Sequence, residues 1–138
     1  MNNQTNTAIL PLTGRILMAA IFVLSGINKI ANPAGTIGYI SAMGLPFPEL
    51  GLALAIGIEV IGGLLLVAGL YTRPVALALA AFSVATGLIF HSAFADQNQM
   101  IHLMKNFAMA GGLLQIAAFG AGSLSLDARR GAAALRTA

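Results

Sequence analysis

The sequence predicts an all-α membrane protein: a four-transmembrane-helix bundle with a short interfacial helix between the first and second spans. Three observations predict it. Of 138 residues, 58% are hydrophobic and 8% are charged, whereas soluble domains carry about 25% charge. Apolar segments of about twenty residues, long enough to cross a hydrocarbon core of ~30 Å, recur four times. The third, from Val75 to Phe90, has only Ser83 and Thr86 as hydroxyls, so a soluble bundle would have no polar face of it to expose.

The elements follow in order. Residues 1–11 read as a polar N-terminal tail without a charged side chain. No basic stretch precedes a short apolar core there, so the segment is not a signal peptide. Residues 12–126 read as the transmembrane domain, with spans near 12–30, 50–70, 74–94 and 103–122, and 127–138 as a basic C-terminal tail. Asn32-Pro33 breaks the first span. Ala34 to Met43 suit a helix too short to cross, expected in the membrane interface. Gly44-Leu45-Pro46-Phe47-Pro48 ends that helix and starts the next span. Tyr71-Thr72-Arg73-Pro74 makes a tight hairpin, and the polar stretch Ala95 to Ile101 joins the last two spans.

Charge placement sets an expected orientation. Arg15, Arg73, Arg129, Arg130 and Arg136 fall on one side, and Lys29 and Lys105 on the other. Five bases against two put both termini in the cytoplasm of a multi-pass protein. The net charge of +3 comes from few acids, and the scattered bases form no helix face that would hold nucleic acid. The chain has no Cys, which excludes disulfides, thiolate metal sites and a dithiol redox centre.

Charges in lipid are costly, so they should face the bundle interior. Each span carries a stripe at 3-4-3-4 spacing that collects its polar residues. These stripes are Arg15, Met18, Phe22, Ser25 and Lys29; Leu52, Ala55, Glu59, Gly62 and Leu66; Ala76, Leu79, Ser83, Thr86 and Phe90; and Lys105, Ala108, Gly112, Gln115 and Phe119. Glu59 falls near the middle of its span, while Ser25, Asn28, Lys29, His91, His102, Lys105 and Asn106 share the outer half. The expectation is a polar cluster with one acid at its base, opening toward the outer leaflet. Arg15 and Gln115 suit a separate contact in the inner half. His91 and His102 lack the further ligand spacing of a metal site, so no metal is assigned.

Phe22-x-x-Ser25-Gly26-x-x-Lys29, then Pro33, Tyr39 and Met43-Gly44-Leu45-Pro46-x-Pro48, resembles the opening of the DoxX family. Glu59-x-x-Gly62-Gly63 with Gly69-x-x-x-Arg73 resembles its second helix and inner hairpin. His102-x-x-Lys105-Asn106, Gly111-Gly112 and Ser125-Leu126-Asp127 resemble its fourth helix and tail. The resemblance covers roughly Gly14 to Arg130. It implies a four-helix protein of the bacterial inner membrane, with relatives linked to quinone-coupled oxidation of sulfur compounds and to quinone, catechol and thiol-stress resistance.

Three functions stay open. The first is a quinone-linked oxidoreductase component or quinone and catechol detoxification protein. Here Lys105, Lys29 or His102 would donate to the quinone and Glu59 would relay protons. Glu59, Lys105 and His102 are then the catalytic candidates, and Ser25, Asn28, Lys29, His91, Asn106 and Phe22 the cofactor-binding ones. No haem or iron–sulfur ligand set is evident, so the redox reading calls for a bound quinone or a soluble or membrane redox partner. The second is a non-catalytic anchor subunit for another redox enzyme. The third is a small-solute or proton permease, for which four short helices need a homo-oligomer. Small-xxx-small pairs such as Ala108/Gly112 suit helix contacts within or between chains.

Overall fold

The computed structural model describes the backbone of residues 2–136 and the side chains of residues 8–134. Among these residues every regular element is helical. Helix α1 (Asn2–Ala31) runs through Pro11, so most of the expected N-terminal tail is helical. Met1 and residues 137–138 of the two expected tails lie outside the described residues, as does the side chain of Arg136.

Asn32 ends α1 and caps α2 (Pro33–Ala42): its side chain accepts from the Gly35 N–H at 3.1 Å, and Pro33 takes the first helical position, where a missing N–H costs nothing. Gly44 at φ 72° and Phe47 at φ 53° then turn the chain into a second long rod. This rod consists of α3 (Pro48–Ile56), a π turn (Gly57–Ile61) and α4 (Gly62–Ala68). Gly69, left-handed at φ 64°, closes it, as the C-cap position favours in a residue without Cβ. The chain continues as α5 (Thr72–Phe90), α6 (Gln97–Phe119) and α7 (Leu126–Arg136).

Three helical stretches are long and apolar enough to cross a membrane: Ala8–Ala31, Pro48–Ala68 and Thr72–Phe90. Helix α6 has the length, at 23 residues, but carries His102, Lys105, Asn106 and Gln115 along it. Its limits also differ from the 103–122 expected. Asp96 accepts from the N–H groups of Asn98 and Gln99 and so starts the helix at Gln97, and Gly120 at φ 83° stops it. The third span ends at Phe90 rather than 94, because that cap needs the preceding residues outside the helix.

The expected stripes of the first three spans face inward. Arg15, Phe22, Leu52, Ala55, Glu59, Leu66, Ala76, Leu79 and Ser83 are all buried. The fourth stripe does so only in part: Gly112 packs against Met18 and Lys105 borders a cavity. Lys105, Ala108 and Gln115 are exposed, and Phe119 is 81% exposed. Leu103, Ala110 and Leu113 point inward instead. The reason is where α6 rests. At Gly87 of α5 a Cβ would stand 2.9 Å from Asn106 and 3.3 Å from Leu103. This close approach rolls the Leu103–Asn106 face toward α5 and turns Lys105 outward.

The end of the bundle that holds Arg15 is closed by the main chain. The buried Arg15 guanidinium donates to the carbonyls of Leu66 (3.0 Å), Val67 (2.7 Å) and Leu124. It therefore caps α4 and holds the C-terminal segment, rather than meeting the exposed Gln115 as expected. Asp127, expected at the start of a free tail, is docked. Its carboxylate accepts the N–H groups of Tyr71 (2.9 Å) and Thr72 (2.8 Å), and its own N–H donates to the Gly69 carbonyl. The Arg130 guanidinium lies 4.9 Å over the Tyr71 ring. Arg15, Arg130 and the 69–73 hairpin thus share one end of the bundle, with Lys29 at the other.

Candidate functional site

Glu59 is 5% exposed and sits in the π turn, two turns above the core layer of Ala19, Leu66 and Leu79. A π turn holds one residue more than an α turn and is often found where a side chain must be re-aimed. Helix α1 passes close beside it because Gly26 has no side chain. A Cβ there would stand 2.5 Å from Val60 and 3.3 Å from the Glu59 Cβ. One turn further along α1, the Lys29 ammonium lies 2.9 Å from both Glu59 oxygens. It also donates to Ser25 Oγ at 2.8 Å, and Ser25 donates to Glu59 Oε1 at 3.1 Å. Oε1 thus accepts two hydrogen bonds. Oε2 is held by charge alone and accepts none.

Two cavities meet at this triad. The larger, about 580 Å³, runs beneath α2 and is lined by Asn28, Asn32, Thr36, Tyr39, Phe82 and Phe90 besides Ser25, Lys29 and Glu59. Tyr39 donates its hydroxyl to the Phe90 carbonyl at 3.1 Å, with the two rings 5.2 Å apart. Ile40 seats α2 on Gly51 of α3. The smaller cavity, about 220 Å³, lies between α1 and α6 and is lined by Phe22, His102, Lys105 and Asn106 together with the same triad.

The predicted site residues therefore divide. Ser25, Lys29 and Glu59 border both cavities, and Asn28 only the larger. Phe22, His102, Lys105 and Asn106 border only the smaller. His91 borders neither. It stacks on His102 with ring centroids 4.9 Å apart, and its Nδ1 lies 2.7 Å from Gln99 Oε1. No group of three metal-binding side chains occurs among the described residues. Sequence reasoning missed the α2 contribution of Asn32, Thr36 and Tyr39. No periodic stripe in so short a helix marks which face turns inward.

The sequence model of the DoxX family matches residues 10–92. The chain belongs to the DoxX family. That match takes in the first three long helical rods and α2, and so every residue lining the larger cavity. Two Escherichia coli (strain K12) proteins are similar along most of their length. Inner membrane protein YqjF is 41% identical over 116 residues, covering 84% of this chain and 88% of the relative. Inner membrane protein YphA is 34% identical over 126 residues, covering 88% of this chain and 90% of the relative. No solved structure matches the chain. With its three span-length apolar helices, this DoxX protein is an integral protein of the bacterial inner membrane.

Proposed function

We propose that this DoxX protein binds a quinone in the larger cavity and serves as the membrane component of a quinone-linked oxidoreductase. One observation carries the reading: a buried carboxylate and a partly buried ammonium, 2.9 Å apart, form the floor of an aromatic-walled cavity of ligand size. A quinone becomes a quinol by gaining two electrons and two protons. The electrons come from a separate redox enzyme docked at the membrane. Lys29 is placed to donate a hydrogen bond to a quinone oxygen and to give up its proton as that oxygen gains charge. Glu59, hydrogen-bonded to Lys29 at 2.9 Å, is the relay that takes a proton from water and returns it to the amine, so that two successive transfers supply both quinol protons. Phe82, Phe90 and Tyr39 form the walls for the ring.

Close packing supports this reading over a permease. Below the triad the bundle holds the fully buried Leu66, Leu79, Leu113 and Arg15, none of which lines either cavity. The proposal includes α6 as a fourth span, antiparallel to α5 and packed along it, and both termini in the cytoplasm. Support for the orientation comes from the arginines gathered at the Arg15–Asp127 end.

The test is native mass spectrometry of the protein extracted in mild detergent, with quinone assayed in the released small molecules. The reading expects about one quinone per chain, lost in Lys29→Met. Quinone-free protein that also fails to take up an added short-chain quinone overturns it.

A further inference from the structure

We infer that the crevice between α1 and α6 is a binding site for an anionic phospholipid, with the phosphate on Lys105 and an acyl chain against Ile21 and Met109. The inference is independent of the quinone reading, which concerns the cavity on the other side of the Lys29–Glu59 pair.

Charge complementarity carries it. Lys29, Lys105 and Glu59 all border the crevice, two cations against a single acid. Lys29 takes up that acid at 2.9 Å. Lys105 has no hydrogen bond or ion pair with any described residue, and it stands two turns inside an otherwise mostly apolar helix. A lone ammonium at that depth is costly and recruits an anion. The side chain is long enough to meet a headgroup phosphate near the interface. Asn106 and His102 add polar groups beside it.

The shape of the crevice selects a lipid over a free anion. It exists because α6 leans on α5 through Gly87 and closes on α1 only deeper in the bundle, where a Cβ on Gly112 would stand 2.5 Å from Met18. Ile21 of its lining is exposed, as are Leu17 and Leu24 about one turn away along α1. Below Lys105 it is lined by Ile21, Phe22 and Met109. A phospholipid satisfies both halves, phosphate on the ammonium and chain on the apolar wall, whereas inorganic phosphate satisfies only the first.

The experiment is native mass spectrometry of the delipidated protein titrated with phosphatidylglycerol or phosphatidylcholine of the same chains. Wild type should retain phosphatidylglycerol about fivefold better, the worth of one lysine near anionic lipid. Lys105→Gln should abolish the preference and Lys105→Arg should keep it. Ile21→Trp, which fills the crevice with Lys105 intact, should lower retention of both lipids. Equal retention of the two lipids by wild type overturns the inference, as does an undiminished preference in Lys105→Gln or undiminished retention of both lipids in Ile21→Trp. Displacement of phosphatidylglycerol by millimolar inorganic phosphate overturns the lipid assignment.

Discussion

The ammonium of Lys29, one turn from the end of α1, sits 2.9 Å from each carboxylate oxygen of Glu59 in the π turn of the second span. The pair joins two helices 30 residues apart in sequence and forms the common wall of both cavities. Its members depend on one another more than either helps the fold. Removing one partner of a buried pair leaves the other charge uncompensated, at a cost of ~3–5 kcal/mol, while replacing both with apolar groups is often neutral. Lys29→Met should therefore destabilise the protein strongly, and Lys29→Met with Glu59→Leu should recover most of the loss. A denaturation series in detergent on the two singles and the double checks this. Additive losses would contradict it.

Gly26 sets the distance across that pair. A larger side chain there meets Val60 and the Glu59 Cβ, so Gly26→Leu must push α1 off the π turn. Overpacking of this kind costs ~1–3 kcal/mol. The same displacement should weaken ligand binding, whereas Gly111→Ala, at a glycine with open space around it, should do neither. Thermal unfolding with and without ligand separates the two variants.

Arg15 makes its end of the bundle a unit. Its guanidinium is 1% exposed and serves three main-chain carbonyls on α4 and the C-terminal segment. Hydrogen bonds to charged groups are each worth ~1.5–3 kcal/mol. Arg15→Met should thus lower stability by about 3 kcal/mol or more and expose the segment around Leu124 to protease. Arg15→Lys should rescue only part, since one ammonium cannot reproduce the forked contact. Limited proteolysis of the two variants reads the difference.

Asp127 gives the same end a pH dependence. Burial works to raise its pKa, but hydrogen bonds from Thr72 and Tyr71 and the charge of Arg130 outweigh burial and hold the carboxyl below its ordinary value. A carboxylate with a lowered folded-state pKa contributes stability above its unfolded pKa, about 3.9, and loses it as pH falls through the folded value. The Tyr71 and Thr72 amides should therefore exchange faster with solvent below about pH 4. In Asp127→Asn that acid step should vanish, with faster exchange already at neutral pH. Hydrogen exchange of the 69–73 hairpin measures both.

Much of this architecture is legible in the residues. The stripes through Arg15–Lys29, Leu52–Leu66 and Ala76–Phe90 face inward because polar or small residues recur at helical spacing among bulky apolar ones. The same rule held only in part on α6. Lys105, though exposed, borders the smaller cavity with Ser25, Lys29, Glu59 and His102, but Gln115 is exposed and lines neither cavity, because the helix is rotated by Gly87, a contact that no pattern within α6 records. Ser25, Lys29 and Glu59 could be grouped by depth. Asn32, Thr36 and Tyr39 could not, since α2 folds back over the bundle through turns at Gly44 and Phe47 whose angles the sequence does not dictate. The closure by Arg15 was also hidden, because its partners are main-chain carbonyls rather than side chains.

The central claim is that the Lys29–Glu59 pair floors a quinone site, and the most direct measurement is the thermal stability of the purified protein titrated with a short-chain quinone. Binding to the folded state alone adds about 2.7 kcal/mol at a hundred times Kd. Wild type should show a saturable rise in Tm, as should Lys105→Gln, whose side chain lies outside the larger cavity. The folded double variant Lys29→Met with Glu59→Leu should show none. A double variant stabilised as much as wild type, or a wild type whose Tm does not move, would contradict the account.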